Sequence, residues 1–337
     1  MKVLITGGAG FIGCNWTSKL MKKGHSVTVL DNLSRKGSKR NLDWLREQGN
    51  LDFIHADIRN ANAVNEAARS QDAIYHLAGQ VAVTTSVINP REDFEINASG
   101  TINVLEAARL STSNPVVVYA STNKVYGGMD DIRIREDDSR YSYFDLPNGV
   151  SEAQQLDFHS PYGCSKGAGD QYVRDYARIY GLRTVVYRQS CIYGIRQFGV
   201  EDQGWLAHFV IATAKNKPIT IYGDGKQVRD MLWIDDLLNA YELALTQPDK
   251  IAGKIFNLGG GPRFTLSIWA ELKPRLEALA KREIETDYKP WRPGDQKVYI
   301  SDIRKAAQEL NWRPMVSPEE GITKLWKWVN ANLELFE

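Results

Sequence analysis

The sequence lacks an excess of charge, a long apolar run and a paired set of cysteines, and each absence excludes a class of protein. Its 337 residues carry 42 Lys and Arg against 41 Asp and Glu, a formal net charge of +1. This balance offers no field of one sign to nucleic acid or an anionic membrane, so we expect neither as a partner. No apolar run approaches the roughly 20 residues that span a bilayer. Cys14, Cys164 and Cys191 have no paired spacing, which predicts a reducing, cytoplasmic location and no metal site.

What the sequence does contain is a glycine-rich turn near its start. A short apolar run leads directly into the turn, whose residues are Gly7-Gly8-Ala9-Gly10-Phe11-Ile12-Gly13. The run predicts a strand, and the pattern after the turn predicts a helix. We expect Gly7 to allow a sharp turn, Gly10 to let backbone approach a pyrophosphate, and Gly13 to let the helix pack on the strand. The first helical residues, Phe11 and Ile12, would then hold the phosphates with their amide groups.

The residues after the second strand indicate which dinucleotide the turn binds. That strand, at 27–30, ends at Asp31. A carboxylate at this place can accept hydrogen bonds from the adenosine ribose hydroxyls, which predicts NAD rather than NADP as the cofactor. Asn32 is a further candidate contact. Arg35 can tolerate a 2′-phosphate, so the preference is not absolute, and the alternative to a cofactor site is an ordinary glycine turn in an α/β domain.

Strand-like and helix-like patterns alternate through the first part of the chain. Further strands are expected at 51–55, 73–77, 116–120 and 184–187, and helices at 42–46, 90–110 and 159–179. This alternation predicts an α/β fold with a Rossmann-type, doubly wound parallel sheet. The composition shifts near residue 195, so we expect an NAD-binding domain at 1–194. A smaller C-terminal substrate-binding lobe would occupy 195–337, with segments that return to the main sheet.

Several residues that follow these strands are further candidates for cofactor contacts. They are Asp57, Ile58, Leu77, Ala78, Gln80 and, in the helical pattern at 90–110, Asn97. Asp57 and Ile58 can meet the adenine amino group and ring face, but Asp57 can equally well cap the next helix. His76 lies within an apolar strand, so we expect a buried core histidine rather than a catalyst.

Two later segments carry groups that are suited to chemistry or to phosphate binding. Ser121 and Thr122 follow the fifth strand, where the active groups of parallel sheets gather. Tyr162 and Lys166 are four residues apart in a helical pattern, so one helix face presents both. In the second half, Arg229 and Arg292 stand in glycine-containing loop sequences, and their planar guanidinium groups suit a diphosphate.

Together these motifs resemble the extended short-chain dehydrogenase/reductase family of enzymes that act on nucleotide sugars. The resemblance covers nearly the whole chain. Within that family, several stretches are most similar to the CDP-paratose 2-epimerases, also called CDP-tyvelose epimerases; they are residues Gln80–Ser86, Ser121–Gly127, Leu156–Lys166 and Gly225–Asp230. These stretches are together far more specific than the Tyr162–Lys166 spacing alone.

The resemblance implies that Thr122, Tyr162 and Lys166 are catalytic. Tyr162 would take the proton of the sugar C2 hydroxyl while the C2 hydride moves to NAD⁺, and the 2-keto sugar would turn before hydride returns to its other face. An ordinary tyrosine pKa near about 10 is too high for a base at neutral pH. We therefore expect the ammonium of Lys166 and the positive nicotinamide ring to lower it. Lys166 would also hydrogen-bond the nicotinamide ribose, and Thr122 would hold the reacting hydroxyl.

The resemblance also implies a CDP-sugar as substrate, either CDP-paratose or, in a more tolerant enzyme, CDP-glucose. The candidates for binding it are Thr85, Ser86, Thr122, Gln189, Arg196, Gln203, Arg229 and Arg292. Related dehydratases carry an acidic pair directly after the threonine, where this chain has Asn123 and Lys124, so dehydration is disfavoured. A UDP-sugar 4-epimerase has the same three catalytic residues and stays open as an alternative. A non-catalytic NAD-binding module is a more remote one, and the long helix at 90–110 predicts a homodimer or homotetramer.

Overall fold

The computed structural model describes residues 1–292 and 295–337, and the chain divides into two compact units. The first unit comprises the segments 1–125, 160–188 and 238–256, and the second comprises 126–159, 189–237 and 257–337. The sequence predicted one boundary at residue 194 and later segments that return to the main sheet. In the structure the chain passes several times from one unit to the other. A shift in composition can indicate only one such boundary.

The strands are numbered in chain order over both units. They are β1 (Lys2–Thr6), β2 (Ser26–Asp31), β3 (Asp52–His55), β4 (Ala73–His76), β5 (Val116–Thr122), β6 (Ile134–Glu136), β7 (Tyr141–Tyr143), β8 (Thr184–Gln189), β9 (Cys191–Tyr193), β10 (Ile219–Tyr222), β11 (Val228–Trp233), β12 (Lys254–Leu258), β13 (Thr265–Ser267), β14 (Thr286–Lys289) and β15 (Val298–Tyr299).

The α-helices are numbered in the same way. They are α1 (Phe11–Lys22), α2 (Ser38–Gln48), α3 (Ala61–Ala67), α4 (Val83–Ile88), α5 (Pro90–Phe94), α6 (Gly100–Leu110), α7 (Ser160–Tyr180), α8 (Trp205–Ala214), α9 (Ile234–Thr246), α10 (Pro248–Ile251), α11 (Leu272–Ala280), α12 (Arg304–Leu310) and α13 (Pro318–Asn330). A π-helical turn covers Glu95–Ser99, and 3₁₀ turns cover Asn123–Tyr126 and Leu333–Phe336.

The first unit is built on a sheet of seven strands in the order β12-β8-β5-β4-β1-β2-β3. The strand pairs from β3 to β5 run parallel, which confirms the predicted Rossmann-type sheet. Val3, Leu4 and Ile5 of β1 are all fully buried, as expected for a strand covered on both faces. The chain order reverses between β1 and β4. In such sheets the ligand crevice lies beyond the carboxyl ends of the strands at this reversal.

The chain is helical throughout 90–110, as the sequence predicts. Asn89 caps α5 by accepting a hydrogen bond from the Glu92 amide, and a π-helical turn joins α5 to α6 within the same helix. The sequence did not predict this π-helical turn. A π-helical turn fits one extra residue into the helix, which apolar periodicity does not reveal. The turn carries Asn97, whose buried amide reaches the backbone of Gln80.

The second unit contains short strands and several helices. β11 pairs in parallel with β9 and β15 and antiparallel with β13, whereas β10 pairs in parallel with β14. The polar stretch at 129–158 contains an antiparallel hairpin of β6 and β7. In the described parts of the chain, 1–292 and 295–337, no helix is long and apolar enough to cross a membrane.

Candidate active site

The glycine turn lies at the carboxyl end of β1 and is packed tightly on one side. Gly7 has a positive φ of 71°, and a Cβ built there would lie 2.7 Å from the backbone nitrogen of Ala78. A Cβ at Gly13 would lie 2.2 Å from the Gly7 carbonyl oxygen. At Gly10, the N-cap of α1, a Cβ would meet only that oxygen, at 3.2 Å. The turn therefore leaves space at Gly10, beside the first amide groups of α1, and this arrangement fits a bound phosphate group.

Asp31 stands at the end of β2, beside the glycine turn. Its carboxylate accepts hydrogen bonds from the amides of Ala9 at 3.0 Å and Leu33 at 2.8 Å. Burial raises the pKa of Asp31, and these backbone hydrogen bonds act in the opposite direction. Each carboxylate oxygen has a second lone pair, so Asp31 can still accept from ribose hydroxyls. Arg35, further along the same loop, has an exposed side chain.

Asp57 does not cap the helix that follows it. Asn60 is the N-cap of α3 and accepts a hydrogen bond from the Ala63 amide at 3.2 Å, so the capping alternative for Asp57 was wrong. Asp57 instead accepts hydrogen bonds from Arg59 and from Asn32, and the Arg59 contacts are the main reason that its pKa falls to about 2. The neighbouring Ile58 side chain is buried in the core, where a Cβ added to Gly100 would touch it.

The loop after β4 is held by the π-helical turn. Asn97 accepts a hydrogen bond from the Gln80 amide at 2.9 Å and donates to the Gln80 carbonyl oxygen at 3.0 Å. Leu77 and Ala78 are tied to Thr6 of β1 through their amide groups, and both are half-buried. The candidate cofactor residues of this loop are therefore close to the glycine turn.

His76 behaves as the buried core histidine that the sequence predicted. Its Nδ1 is 2.8 Å from the hydroxyl of Thr6, and its Nε2 is 3.0 Å from the hydroxyl of Thr101. Burial is the main cause that lowers its pKa to about 3, with a smaller effect of the Lys166 charge. His76 is therefore neutral at physiological pH and takes no visible part in proton transfer.

Thr122, Tyr162 and Lys166 are brought together in the first unit. Thr122 ends β5, whereas Tyr162 and Lys166 lie one turn apart at the start of α7, and all three are buried. The hydroxyl of Thr122 donates to the Asn123 side-chain oxygen at 3.3 Å and accepts from the Lys124 amide at 3.2 Å, and it acts to lower the pKa of Tyr162. The ammonium of Lys166 lies 4.2 Å from the centroid of the Tyr119 ring. All three side chains are thus buried in the same unit, with Thr122 acting on Tyr162 and Lys166 one helical turn further along α7.

Burial opposes the charged forms of both catalytic candidates on α7. It raises the pKa of Tyr162 to about 12, while the hydroxyl of Thr122 and the charge of Arg35 act to lower it. The sequence analysis expected Lys166 and the nicotinamide ring to lower the pKa of Tyr162. It did not identify Thr122 and Arg35 as residues that lower this pKa. Burial also lowers the pKa of Lys166 to about 7, against the opposing effects of Asp170 and Asp93.

A buried ion pair supports this part of α7. Asp170 and Arg188 are both almost completely buried and form two hydrogen bonds of 2.9 Å each. Asp170 also accepts a hydrogen bond from the hydroxyl of Ser121, the residue before Thr122, at 2.7 Å. Asp170 thus links the middle of α7 to the end of β5 through Ser121 and to β8 through Arg188. Because a buried pair is costly to break, this link fixes the two elements that carry the catalytic candidates.

The two substrate candidates of α4 have different surroundings. Thr85 is exposed, and the buried hydroxyl of Ser86 donates to the Val83 carbonyl oxygen at 2.7 Å. The hydroxyl of Thr84, which the sequence analysis did not select, is buried without a hydrogen-bond partner among the described residues. In a longer helix, the spacing of apolar residues would indicate which of Thr84 and Thr85 is buried. α4 has only 6 residues, too few for such a pattern.

The remaining substrate candidates belong to the second unit. Arg229 donates to Asp295 at 2.8 Å, whereas Arg292 contacts Glu201 and Asp202 and lies over the Tyr222 ring at 3.8 Å. Each guanidinium group is thus held in place by carboxylates, and the two have different partners. Pro293 and Gly294 of the predicted Arg292 motif lie outside the described residues.

The other three candidates of the second unit differ in their surroundings. Gln189 is buried in β8, and Arg196 has a positive φ of 64°. Gln203 pairs through its backbone with Val200. Among the residues that the structure describes, no cluster of His, Cys, Asp and Glu could hold a metal ion.

Comparisons with known proteins place the chain among nucleotide-sugar enzymes. The family model described as GDP-mannose 4,6 dehydratase matches residues 4–325. A CDP-paratose 2-epimerase of Salmonella typhi is 48% identical over 98% of this chain and 100% of that protein. A dTDP-glucose 4,6-dehydratase of Streptomyces venezuelae, solved with NAD, has a TM-score of 0.86 at 30% identity, covering 100% of this chain and 99% of that one. A UDP-glucose 4-epimerase of Thermotoga maritima, solved with UDP-glucose, has a TM-score of 0.85 at 30% identity, covering 99% of this chain and 100% of that one.

Proposed function

The chain belongs to the extended short-chain dehydrogenase/reductase family, and we propose that it is an NAD-dependent isomerase that inverts C2 of a CDP-sugar. The proposed substrate is CDP-paratose, with CDP-tyvelose as the product. The observation that carries this proposal is the buried group of Thr122, Tyr162 and Lys166 in a chain that resembles a CDP-paratose 2-epimerase from end to end. Its catalytic groups are those that a reversible oxidation of a sugar carbon requires.

The glycine turn and the residues around it would hold the cofactor. Gly10 and the first amide groups of α1 suit the pyrophosphate, and the carboxylate of Asp31 suits the ribose hydroxyls. Asn32, Arg35, Asp57, Leu77, Ala78, Gln80 and Asn97 are the further proposed contacts. When bound, NAD⁺ supplies the hydride chemistry that removes and restores hydrogen at the sugar carbon.

Tyr162 is the proposed acid and base of the reaction. As a base it accepts the proton of the sugar C2 hydroxyl, and as an acid it returns that proton when the carbon is reduced again. Thr122 hydrogen-bonds the reacting hydroxyl and, through its own hydroxyl, stabilises the phenolate of Tyr162. Lys166 provides a positive charge and a donor to the nicotinamide ribose. Since the proton returns to the sugar, the enzyme ends each cycle in its starting state.

The two residues after Thr122 argue against loss of water from the sugar. Asn123 and Lys124 stand where related dehydratases carry two acidic residues, and both belong to the 3₁₀ turn that follows β5. An amide cannot donate or accept a proton as a carboxyl group does, and a lysine does not replace a carboxylate base at this place. We therefore infer epimerisation rather than dehydration.

The residues that would bind the CDP-sugar remain part of the proposal. Arg229 and Arg292 are suited to the diphosphate because each guanidinium group is already oriented by carboxylates. Thr85, Ser86, Gln189, Arg196 and Gln203 are the candidates for orienting the sugar. A UDP-sugar 4-epimerase is the second candidate function, since the same catalytic residues serve either carbon and the Thermotoga maritima epimerase has a similar fold.

The test is to incubate the purified protein separately with CDP-, UDP-, GDP- and dTDP-sugars and to identify the altered carbon by NMR. We expect inversion at C2 of CDP-paratose, no accumulation of NADH, and loss of turnover in Tyr162→Phe. Inversion at C4 of a UDP-sugar, without any change at C2 of a CDP-sugar, would establish the second candidate instead. Tyr162→Phe with the wild-type rate would remove the proposed base.

We further propose a cytoplasmic homodimer or homotetramer. Leu110 at the end of α6 and Tyr172, Ile179 and Tyr180 on α7 are large apolar residues with exposed side chains, and α6 packs against α7. A second copy of the chain would cover these side chains. Light scattering of the purified protein would give the number of subunits, and a monomer at micromolar concentration would contradict the proposal.

A further inference from the structure

Asp93, in α5, is a buried carboxylate that the proposed mechanism does not yet use. Its side chain is 1% exposed. One of its oxygens accepts hydrogen bonds from the side-chain amides of Gln80 at 3.0 Å and Asn97 at 3.2 Å, and the other accepts from the hydroxyl of Ser165. Three donated hydrogen bonds favour the ionised form of Asp93, whereas burial raises its pKa.

Ser165 connects this carboxylate to the catalytic part of α7. It lies between Tyr162 and Lys166 in the sequence, and its hydroxyl is also 3.2 Å from the Tyr162 carbonyl oxygen and 3.1 Å from the Asn97 amide. The same Asn97 holds the loop after β4 through the backbone of Gln80. The carboxylate of Asp93 therefore anchors the turn of α7 from which both proposed catalytic side chains project.

Asp93 also differs from the other carboxylate that acts on Lys166. Asp170 is matched by the guanidinium group of Arg188, with which it forms a buried ion pair. Asp93 accepts hydrogen bonds from neutral donors only, as far as the described residues show. Burial raises the pKa of Asp93, and Lys166 is the cation whose charge acts against this rise. The buried ammonium of Lys166 otherwise faces the Tyr119 ring and the neutral His76.

We propose that Asp93 is a positioning residue of the active site, which supplies the counter-charge of the Lys166 ammonium and, through Ser165, fixes the turn that carries Tyr162 and Lys166. The inference rests on the proposed roles of these two residues in catalysis. A buried ammonium is stable only when an opposite charge is near. Asp170 also raises the pKa of Lys166, but its carboxylate is shared with the guanidinium group of Arg188, whereas Asp93 forms no ion pair among the described residues.

The charge of Asp93 acts on the two catalytic groups in a way that can be measured. It raises the pKa of Lys166 and also that of Tyr162, whose other neighbours are Thr122 and Arg35. Removal of the charge should therefore lower both values. If turnover needs the phenolate of Tyr162 and the ammonium of Lys166, both limbs of the pH profile move to lower pH by about 1 unit. Loss of structural support alone would lower the maximum without moving the limbs.

The first measurement needs neither substrate nor turnover. Protein labelled with ¹³C at lysine Cε is titrated by NMR, and the Lys166 resonance is assigned by its absence in Lys166→Met. We expect a midpoint near the pKa of about 7 in the wild type and one about 1 unit lower in Asp93→Asn. Glu92→Gln is the matched control, because it removes one negative charge from the exposed side of the same helix and should leave the midpoint in place. An unchanged midpoint in Asp93→Asn would overturn the counter-charge role, whatever reaction the enzyme performs.

The second measurement is the pH dependence of kcat and KM for the CDP-sugar in the same proteins. Asp93→Asn should move both limbs to lower pH, and Glu92→Gln should reproduce the wild-type profile. Ser165→Ala keeps the charge but removes the link to α7, so it should lower kcat about 10-fold with little change in KM or in the limbs. A wild-type kcat in Ser165→Ala would contradict the positioning role, even if Asp93→Asn does not fold.

Discussion

Single alanine substitutions should separate the functions of Gly10 and Gly13 in the first turn. A Cβ at Gly13 would lie 2.2 Å from the Gly7 carbonyl oxygen and 2.6 Å from Gly8 Cα, both of them backbone atoms. They can yield only if α1 moves away from β1, and overpacking of this kind costs about 1–3 kcal/mol or more. A Cβ at Gly10 would meet only the Gly7 oxygen, at 3.2 Å, and Gly10 has a φ of −70° that alanine adopts easily. Gly10→Ala should therefore lose no more than about 1 kcal/mol.

Two assays on protein freed of cofactor should distinguish the variants, because Gly13→Ala should lose stability and Gly10→Ala should lose NAD affinity. In urea unfolding, Gly13→Ala should have a clearly lower midpoint, while Gly10→Ala should remain close to the wild type. In calorimetric titration with NAD, Gly10→Ala should bind about 10- to 100-fold more weakly, because its methyl group occupies the space proposed for the pyrophosphate. Wild-type NAD affinity in Gly10→Ala would refute the assignment of this turn as the phosphate site. Wild-type stability in Gly13→Ala would refute the packing argument.

Two further predictions concern titrating groups. Thr122→Val removes the hydroxyl that lowers the pKa of Tyr162, so the limb of the kcat profile that reports Tyr162 should move up by about 1 unit, whereas Thr122→Ser should keep its position. An unmoved limb in Thr122→Val would contradict the contact. His76 has a pKa of about 3 in the folded protein and an ordinary value of 6.5. The unfolded chain thus binds a proton below pH 6.5 that the folded protein rejects, and the free energy of unfolding should fall by up to about 1.4 kcal/mol per pH unit as the pH drops towards 3. Urea unfolding at pH 7 and pH 5 should give a smaller loss of unfolding free energy for His76→Gln than for the wild type. An equal loss in both proteins would contradict this prediction.

The parts of the fold that the sequence predicts are those encoded by neighbouring residues. The apolar run of β1, the glycines and the start of α1 follow one another directly, so their pattern identifies a strand, a turn and a helix. The spacing of Tyr162 and Lys166 likewise follows from a single helix. The π-helical turn at Glu95–Ser99 was not predictable in this way, because it depends on the contacts that Asn97 makes with Gln80 and Ser165.

Asp93 shows why part of the candidate site escapes sequence reasoning. It stands in the polar stretch Pro90-Arg-Glu-Asp-Phe94, where Arg91 is exposed and Glu92 is half-buried, and an acidic residue among such charged neighbours resembles a solvated surface charge. Only the packing of α5 against α7 buries it and brings it to Ser165. The partners of Asp93 are therefore tertiary, and the residue type alone does not distinguish a buried carboxylate from an exposed one.

The site has to stabilise two charges that its own burial disfavours. Burial moves the pKa of Tyr162 up to about 12 and that of Lys166 down to about 7, so both groups are shifted towards their neutral forms. The groups that oppose these shifts come from separate elements: Thr122 and Arg35 for the phenolate, Asp93 and Asp170 for the ammonium. A change at one of them should thus affect one charge more than the other, except at Asp93, which acts on both. Asp93 favours the ammonium of Lys166 and disfavours the phenolate of Tyr162. This carboxylate should therefore determine the pH at which the enzyme is most active, and not whether it is active.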